Sequence, residues 1–177
     1  FLHAGETALQ SYANGEAEAH FRRAIALLTD APQRAPCLAG LGEALGRQGR
    51  GEEAAPILHQ AIEVYWEMGE HDRVAHLYTR LSQVLWYSNN KQAWDTCQEG
   101  LSRLQGVPER PGLARLLAEA GRTAWFRSQP AEVVLPLCQR AIDIADRIGE
   151  LEAKAEASIT IAITGQKIKE VDPDECV

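Results

Sequence analysis

The densest local group of side chains that could bind a metal ion consists of Glu70, His71, Asp72 and His76. Imidazoles and carboxylates are common zinc ligands, and two histidines of one helix share a face at a spacing of three or four residues. The two histidines here are five residues apart. We therefore predict no metal at this cluster and interpret it as the solvated start of a helix.

Three glycines resemble in their spacing the loop that binds dinucleotides: Gly40, Gly42 and Gly46. That loop needs a preceding β-strand, so that the glycines open a helix whose N-terminus faces the phosphates. No strand pattern precedes them, and they are interleaved with leucines of one helix face, Leu38, Leu41 and Leu45. We interpret the glycines as small residues that allow close helix packing.

No motif in the chain indicates catalysis. There is no P-loop, H-E-x-x-H or G-x-S-x-G pattern, and no serine lies in a recognisable nucleophile turn with a partnered histidine. The adjacent acids Glu52 and Glu53 suit the first turn of a helix, where the helix dipole favours carboxylates. We predict that the chain is not an enzyme and uses no cofactor.

The overall charge and the apolar content narrow the class of partner. The 177 residues carry a net charge of −7, whereas direct binding of nucleic acid or of an anionic membrane needs a basic surface. No apolar run approaches the roughly 18 residues of a membrane span. The first residues already follow a helical pattern and lack Met, so we expect a piece of a longer protein.

Four cysteines lie far apart in the sequence, at Cys37, Cys97, Cys138 and Cys176. None has the spacing of two to four residues that zinc sites use. Cys97 and Cys138 fall on apolar helix faces, where a free thiol behaves as a small hydrophobic group. We predict reduced structural cysteines in a cytoplasmic protein.

The elements that must position these residues repeat along the chain. Four stretches align on a small residue with separations of 37, 39 and 41 residues, at Ala24, Ala61, Gly100 and Ala141. Three residues earlier, each stretch has an apolar residue: Phe21, Leu58, Cys97 and Cys138. One residue later, each has another: Ile25, Ile62, Leu101 and Ile142. This register predicts four copies of one helix, which we call the second helix of each repeat.

A first helix precedes each second helix. Its apolar and small positions are Leu38, Leu41, Gly42 and Leu45 in repeat two, Leu77, Leu81, Ser82 and Leu85 in repeat three, and Leu117, Ala120, Gly121 and Ala124 in repeat four. Repeat one has a short version with Leu9 and Tyr12, and a fifth first helix at 151–165 has Ala157, Ser158 and Ile161. No segment alternates with a period of two, so we expect no strands.

Turn residues separate these helices where the repeat requires them. Within repeats the turns are predicted at 14–15, 49–51, 88–90 and 128–130, and between repeats at 30–32, 69–70, 108–111 and 149–150. Pro130 suits an early helical position. Pro56 and Pro136 fall inside second helices, so we predict that they lie in the first turn or kink the helix.

The paired pattern, clearest over residues 38–62, resembles tetratricopeptide (TPR) repeats, although the period exceeds their usual 34 residues. The resemblance implies an all-α, right-handed superhelix of about four to five antiparallel helix pairs, a TPR-like α-solenoid whose concave face is lined by first helices. It divides residues 1–170, a single domain, into repeats at about 1–30, 32–68, 70–106, 110–148 and an incomplete 150–170. An acidic tail follows at 171–177.

In TPR domains the ligand contacts the first helices, and the matching positions here form a candidate partner-binding strip. Its members are Arg47, His76, Arg80, Gln83, Tyr87, Arg115, Glu119, Arg122 and Phe126, with Glu43, Glu152 and Glu156 beside them. Arg80, Arg115 and Arg122 would make a positive centre that suits a carboxylate or an acidic peptide. The alternative is a solvated face with internal Arg–Glu pairs.

Two aromatic pairs recur 39 residues apart, Trp86-Tyr87 and Trp125-Phe126. The match to the repeat predicts that one ring of each pair packs between repeats, while the other could reach the groove. The Lys/Asn clamp of TPR domains that bind chaperone tails is absent, because its groove positions here hold Glu43, Gln83 and Arg122.

The long second helix and the alanine-rich first helix that follows it, at 141–165, are similar to TPR arrays of large bacterial signalling proteins. These include ATP-dependent transcriptional regulators, in which the array senses an inducer or partner. We therefore predict a protein- or peptide-binding scaffold of a cytoplasmic signalling or transcriptional regulator. Two alternatives stay open: a groove that senses a small-molecule effector, and an arm for self-association.

Overall fold

The computed structural model describes the backbone of residues 1–86 and 90–171 and the side chains of residues 1–86 and 91–166. Over these residues it contains α-helices and no strand, which confirms the all-α prediction. The helices are α1 (Leu2–Gln10), α2 (Asn14–Leu27), α3 (Ala31–Arg47), α4 (Gly51–Glu67), α5 (His71–Trp86), α6 (Asn90–Arg103), α7 (Pro111–Phe126), α8 (Ala131–Ile148) and α9 (Leu151–Val171).

The helices stack as pairs along one direction. Each odd-numbered helix, a first helix of the sequence pattern, packs on the even-numbered helix that follows it and also on the next first helix. Among the described residues the backbones of second helices do not approach one another closely, although Arg103 of α6 reaches Glu63 of α4 through its side chain. Successive first helices approach one another closely, so they lie nearer the axis of the stack than the second helices do. The first helices therefore line its concave face. The chain is therefore an α-solenoid.

The small and large positions of the repeat interlock as the register predicts. A Cβ on Gly42 would lie 2.5 Å from the Leu58 side chain, and one on Gly121 would meet the Cys138 sulfur. The four large positions of the second helices are fully buried: Phe21, Leu58, Cys97 and Cys138. Glycine on the first helix therefore lets a second helix approach closely enough to bury its large residue.

The Glu70–His76 cluster takes part in packing between neighbouring repeats. The Asp72 carboxylate accepts a hydrogen bond of 2.8 Å from the backbone N–H of Gly112, in the first turn of α7. A Cβ at Gly112 would lie 2.5 Å from the Asp72 carbonyl oxygen, so this contact needs glycine. The His71 ring lies 4.9 Å from the ring of Trp66. Asp72 and His71 thus join elements of the solenoid.

Several local predictions differ from the structure; the turn predicted at 30–32, for example, lies mostly within α3, which begins at Ala31. The first turn lies at 11–13 rather than at Asn14-Gly15, because α2 begins at Asn14. Tyr12 consequently lies in this turn, with a positive φ of 59°, and not on the first helix. Pro130 is the N-cap of α8 rather than a residue within it. In each case the element boundary is displaced by one to a few residues, as helix ends allow.

Pro56 and Pro136 do not lie in a first turn, contrary to that alternative. Each lies inside its helix, α4 or α8, as does Pro36 in α3. All three are the sixth residue of a helix. Proline has no N–H, so the carbonyl of the second residue of each helix lacks its usual hydrogen bond. The rest of each helix continues beyond the proline.

Cys37, Cys97 and Cys138 are buried and form no disulfide. Burial raises the pKa of the Cys97 thiol to about 12, although hydrogen bonds from Ser82 and Thr123 oppose this shift. Of the tail predicted at 171–177, Val171 is the last residue of α9, while residues 172–177 with Cys176 lie outside the described residues, as does most of the turn predicted at 88–90. None of the described helices is both long and apolar enough to cross a membrane.

Candidate binding groove

Two adjoining pockets run along the inner face of the first helices. The first, of about 220 Å³, lies between α3 and α5 and is lined by Glu43, Gly46, Arg47, Gly49, Gly51, Arg80, Gln83 and Val84. The second, of about 210 Å³, lies among α5, α7 and α9 and is lined by His76, Thr79, Arg80, Gln83, Arg115, Glu152 and Glu156. Because they share Arg80 and Gln83, they form one surface, which we call the inner groove.

At the α3–α5 end of the groove, one carboxylate holds two arginines. The Glu43 carboxylate accepts hydrogen bonds of 2.5 Å from Arg47 and 2.7 Å from Arg80. Arg47 also donates to the backbone carbonyl of Leu9, at 2.8 Å. These three charges sum to one positive charge. The floor of this pocket is formed by Val84, which packs against Gly46 so closely that a Cβ there would overlap a valine methyl group. The α3–α5 end of the groove is therefore apolar beneath its charged residues.

At the α7–α9 end, acids outnumber bases. Arg115 pairs with both Glu150, at 2.8 Å, and Glu152, at 2.7 Å. Among the described residues, the Glu156 side chain has no ion pair and no hydrogen bond. Burial raises the pKa of Glu156, and the neighbouring carboxylates of Glu119 and Glu152 raise it further, although the charges of Arg122 and Arg115 oppose this shift. The ionised Glu156 therefore stands in an environment that disfavours its charge.

His76 lines the same end of the groove without adding a positive charge at neutral pH. Its Nε2 lies 3.7 Å from Asp72, whose charge favours protonation. Burial nevertheless lowers the pKa of His76 below its ordinary value, and the positive charges of Arg115 and Arg80 act in the same direction. The imidazole is therefore mainly neutral at pH 7 and can donate or accept a hydrogen bond.

An ion pair with a buried carboxylate lies beside the groove, on the face of α7 that packs against α5. Glu119 is only 2% exposed, and its carboxylate accepts hydrogen bonds of 2.7 and 2.9 Å from Arg122. It also accepts one of 2.9 Å from the buried hydroxyl of Ser82 on α5. The carboxylate thus joins two neighbouring repeats beneath the surface, where a charge persists because it is paired and hydrogen-bonded.

Arg122 is held on its other side by aromatic rings. Its guanidinium lies 4.9 Å from the centre of the Trp86 ring and 5.7 Å from that of Phe126. The two rings are themselves 5.0 Å apart, and Phe126 also packs edge-on against Trp125 at 4.8 Å. Trp86 therefore packs between repeats, as the recurrence of the aromatic pairs predicts, while Phe126 remains 50% exposed.

The structure divides the predicted strip into two groups. The groove brings together Arg47, His76, Arg80, Gln83 and Arg115. The adjoining cluster contains Glu119, Arg122 and Phe126, of which Glu119 is too buried to touch a partner directly. Tyr87 lies outside the described residues. Arg80, Arg115 and Arg122 each have carboxylate partners, as in the alternative of internal Arg–Glu pairs.

Sequence reasoning missed the apolar floor of the groove, Gly46 and Val84, and the hydroxyl of Thr79. Gly46 and Val84 lie on different repeats, 38 positions apart, which is close to the repeat length. Their separation of about one repeat could have predicted this contact from the sequence. Among residues whose side chains are described, no three or more His, Cys, Asp or Glu side chains are placed so that they could hold one metal ion.

The fold defines the chain as a TPR-like α-solenoid. It is similar over 95% of its length to the crystal structure of a kinesin light chain-like protein of Podosopora anserina with nearly identical TPR-like repeats. That match has a TM-score of 0.69 at 15% sequence identity and covers 87% of the other chain. A single-substitution variant of the same protein matches with a TM-score of 0.70, 15% identity and coverage of 95% and 86%.

Comparisons of sequence add no family. No protein-family profile matches the chain, and no curated protein is significantly similar to it. The structural neighbours share too little sequence to indicate more than the fold.

Proposed function

We propose that the inner groove binds a peptide segment of a partner protein. The observation that carries this proposal is the continuity of the groove: two pockets on four successive first helices share Arg80 and Gln83. A chain-like ligand can follow such a surface and place successive side chains in successive pockets. Repeat solenoids present extended concave surfaces of this kind.

The size of the pockets favours a peptide over a small-molecule effector. Each groove pocket has a volume near 200 Å³, below the range of about 300–1,000 Å³ that is typical of sites for drug-sized ligands. A larger pocket, of about 530 Å³, lies outside the groove at the loops before α5 and α7. The proposed ligand therefore spans both groove pockets and places one side chain in each.

A substitution that fills the groove without changing its charge tests this proposal. Gln83 lines both pockets, so Gln83→Trp should obstruct both and weaken binding about tenfold or more, equivalent to about 1.4 kcal/mol. The matched control is Gln139→Trp, at an exposed position of the second helix α8. The probes are short peptides selected from a random displayed library, and their affinities are measured by calorimetry.

Equal binding of the selected peptides by wild type and Gln83→Trp would show that the groove is not the site. Retention of no peptide at all would also count against the proposal. Melting temperatures of both variants establish that any loss of affinity comes from the groove, since each substitution lies on a helix surface that is at least partly exposed.

We further propose that this scaffold belongs to a larger cytoplasmic regulator, in signalling or transcription. Support comes from the similarity of residues 141–165 to bacterial regulatory TPR arrays and from the length of α8, which spans 18 residues. Peptide binding in the groove would then report the presence of a partner to the rest of that protein.

The second candidate function is self-association through α9. Ser158 of α9 occupies the small-residue position of Gly42 and Gly121, and it is exposed because no described second helix covers it. Leu151 and Ile159 are 77% and 62% exposed on the same helix. If this face mediates association, light scattering should show a dimer that Ile159→Glu converts to a monomer. A monomeric wild type at high concentration would rule the candidate out.

A further inference from the structure

The ion pairs of the inner groove indicate that its ligand is not acidic. Every arginine that lines the groove is already paired within the protein: Arg47 and Arg80 with Glu43, and Arg115 with Glu150 and Glu152. An acidic ligand would have to compete with these carboxylates. The Glu156 carboxylate, by contrast, has no ion pair among the described residues, although it lines the α7–α9 pocket and lies near other carboxylates.

The two ends of the groove differ in net charge. Arg47, Arg80 and Glu43 leave one positive charge at the α3–α5 end, above the apolar floor of Val84. At the α7–α9 end, Arg115 and the shared Arg80 stand beside the carboxylates of Glu150, Glu152 and Glu156, so this end carries one negative charge even when Arg80 is counted at both ends. A cation is therefore repelled from the first end and attracted to the second, which gives the groove a direction.

We propose that the groove binds a peptide that places a basic side chain against Glu156 and an apolar side chain between α3 and α5. This inference rests on the proposed function and adds the chemistry and the orientation of the ligand. A lysine or arginine at the α7–α9 end would give Glu156 the partner that the free protein lacks. An apolar side chain would cover Val84 and Gly46 beneath the Glu43 pairs.

The charge of the whole chain favours the same partner. With a net charge of −7, the protein attracts basic segments at long range and repels acidic ones. Binding of a basic residue also leaves the existing groove pairs intact. Arg80 and Arg115 therefore act as internal partners of the groove acids, and the ligand supplies the additional cation.

Synthetic peptides with matched substitutions test this inference. One series carries leucine and lysine at varied spacing between glycine and serine, and its counterparts replace lysine by glutamate, lysine by glutamine, or leucine by serine. Affinities are measured for wild type, Glu156→Gln and Glu132→Gln. The last is a matched control, because Glu132 is exposed on the second helix α8 and its change alters the net charge equally.

The lysine–leucine peptides should bind at least tenfold more tightly than each counterpart, and Glu156→Gln should remove most of the preference for lysine over glutamine. Glu132→Gln should change the affinity by less than about twofold, the effect of long-range charge alone. Because Glu156 has no internal partner, Glu156→Gln should fold with an unchanged or higher melting temperature, so a loss of binding is not a loss of structure.

The contrary outcomes separate this inference from the proposed function. Tighter binding of the glutamate peptides, or a lysine preference that survives in Glu156→Gln, would overturn the inference. Peptide binding that Gln83→Trp abolishes would still support the groove as the site. Failure of every peptide series to bind would overturn both.

Discussion

Replacement of Arg122 by alanine should lower the free energy of unfolding by about 3–5 kcal/mol, although the residue lies beside a proposed binding surface. Its partner Glu119 is 2% exposed, so the substitution leaves a buried carboxylate without its cation. The change also removes the stacking of the guanidinium on Trp86 and Phe126. Urea denaturation of wild type and variant, with equal slopes, measures the loss.

Two further variants establish the cause of this loss. Glu119→Gln combined with Arg122→Ala removes both charges, so the double variant should recover most of the stability lost in the single one. Arg147→Ala breaks an ion pair with Glu109 at the surface, where both side chains are substantially exposed, and should cost no more than about 1 kcal/mol. A loss in Arg122→Ala no larger than that in Arg147→Ala would contradict a structural ion pair.

Phe21→Ala should destabilise the N-terminal end of the solenoid by about 3–5 kcal/mol. The ring is fully buried and fills a slot that two glycines leave open: a Cβ on Gly5 would lie 2.6 Å from it. On its other side the ring meets α3 at Gly40, where an added Cβ would also overlap it. Truncation therefore leaves a cavity between α1 and α3 that two rigid helix backbones cannot easily close.

The control for Phe21→Ala is Leu27→Ala on the same helix. Leu27 is an apolar residue of α2 but is largely exposed, so its truncation should cost less than about 0.5 kcal/mol. Thermal or urea unfolding measures the stability of both variants and shows whether the loss depends on burial of the side chain or only on its being apolar. Similar losses in the two variants would contradict the interlocking of small and large positions that defines the repeat.

The repeat could be predicted from the sequence because its packing is periodic in the sequence. Small residues of first helices and large residues of second helices, such as Gly42 and Leu58, meet in the structure as their register requires. Solenoid repeats contact mainly their nearest neighbours, so a pattern along the chain translates directly into contacts. Helix boundaries follow less directly from the sequence. Tyr12 adopts a positive φ in the turn before α2, although glycine is the residue that usually marks such a turn.

The ion pairs of the groove could not be predicted from residue types alone. Arg80 and Arg122 occupy groove-facing positions by register, yet each is held by a carboxylate, one on another helix and one a turn earlier. A long side chain has many rotamers, and its partner is chosen by the stacking geometry. Several polar contacts nevertheless join residues about one repeat apart, Arg80–Glu43, Ser82–Glu119, Arg147–Glu109 and Gly112–Asp72.

That separation gives a rule for reading similar chains. Once the period is known, opposite charges placed 35 to 40 residues apart can be tested as pairs before they are assigned to a ligand; Arg103 and Glu63, 40 residues apart, form such a pair here. Applied to the inner groove, the rule assigns Arg80 to Glu43 and Arg115 to Glu150. It finds no partner for Arg47 or Glu156; Arg47 pairs with Glu43 of its own helix, and Glu156 has no ion pair among the described residues.

The most direct test of the central claim is the map of amide chemical-shift changes when a selected peptide is titrated into the isotopically labelled protein. If the inner groove binds the peptide, the largest changes should lie on α3, α5, α7 and α9, around Arg80, Gln83 and Glu156. Changes concentrated on the second helices α4, α6 and α8, with the first helices unaffected, would contradict the groove as the binding surface.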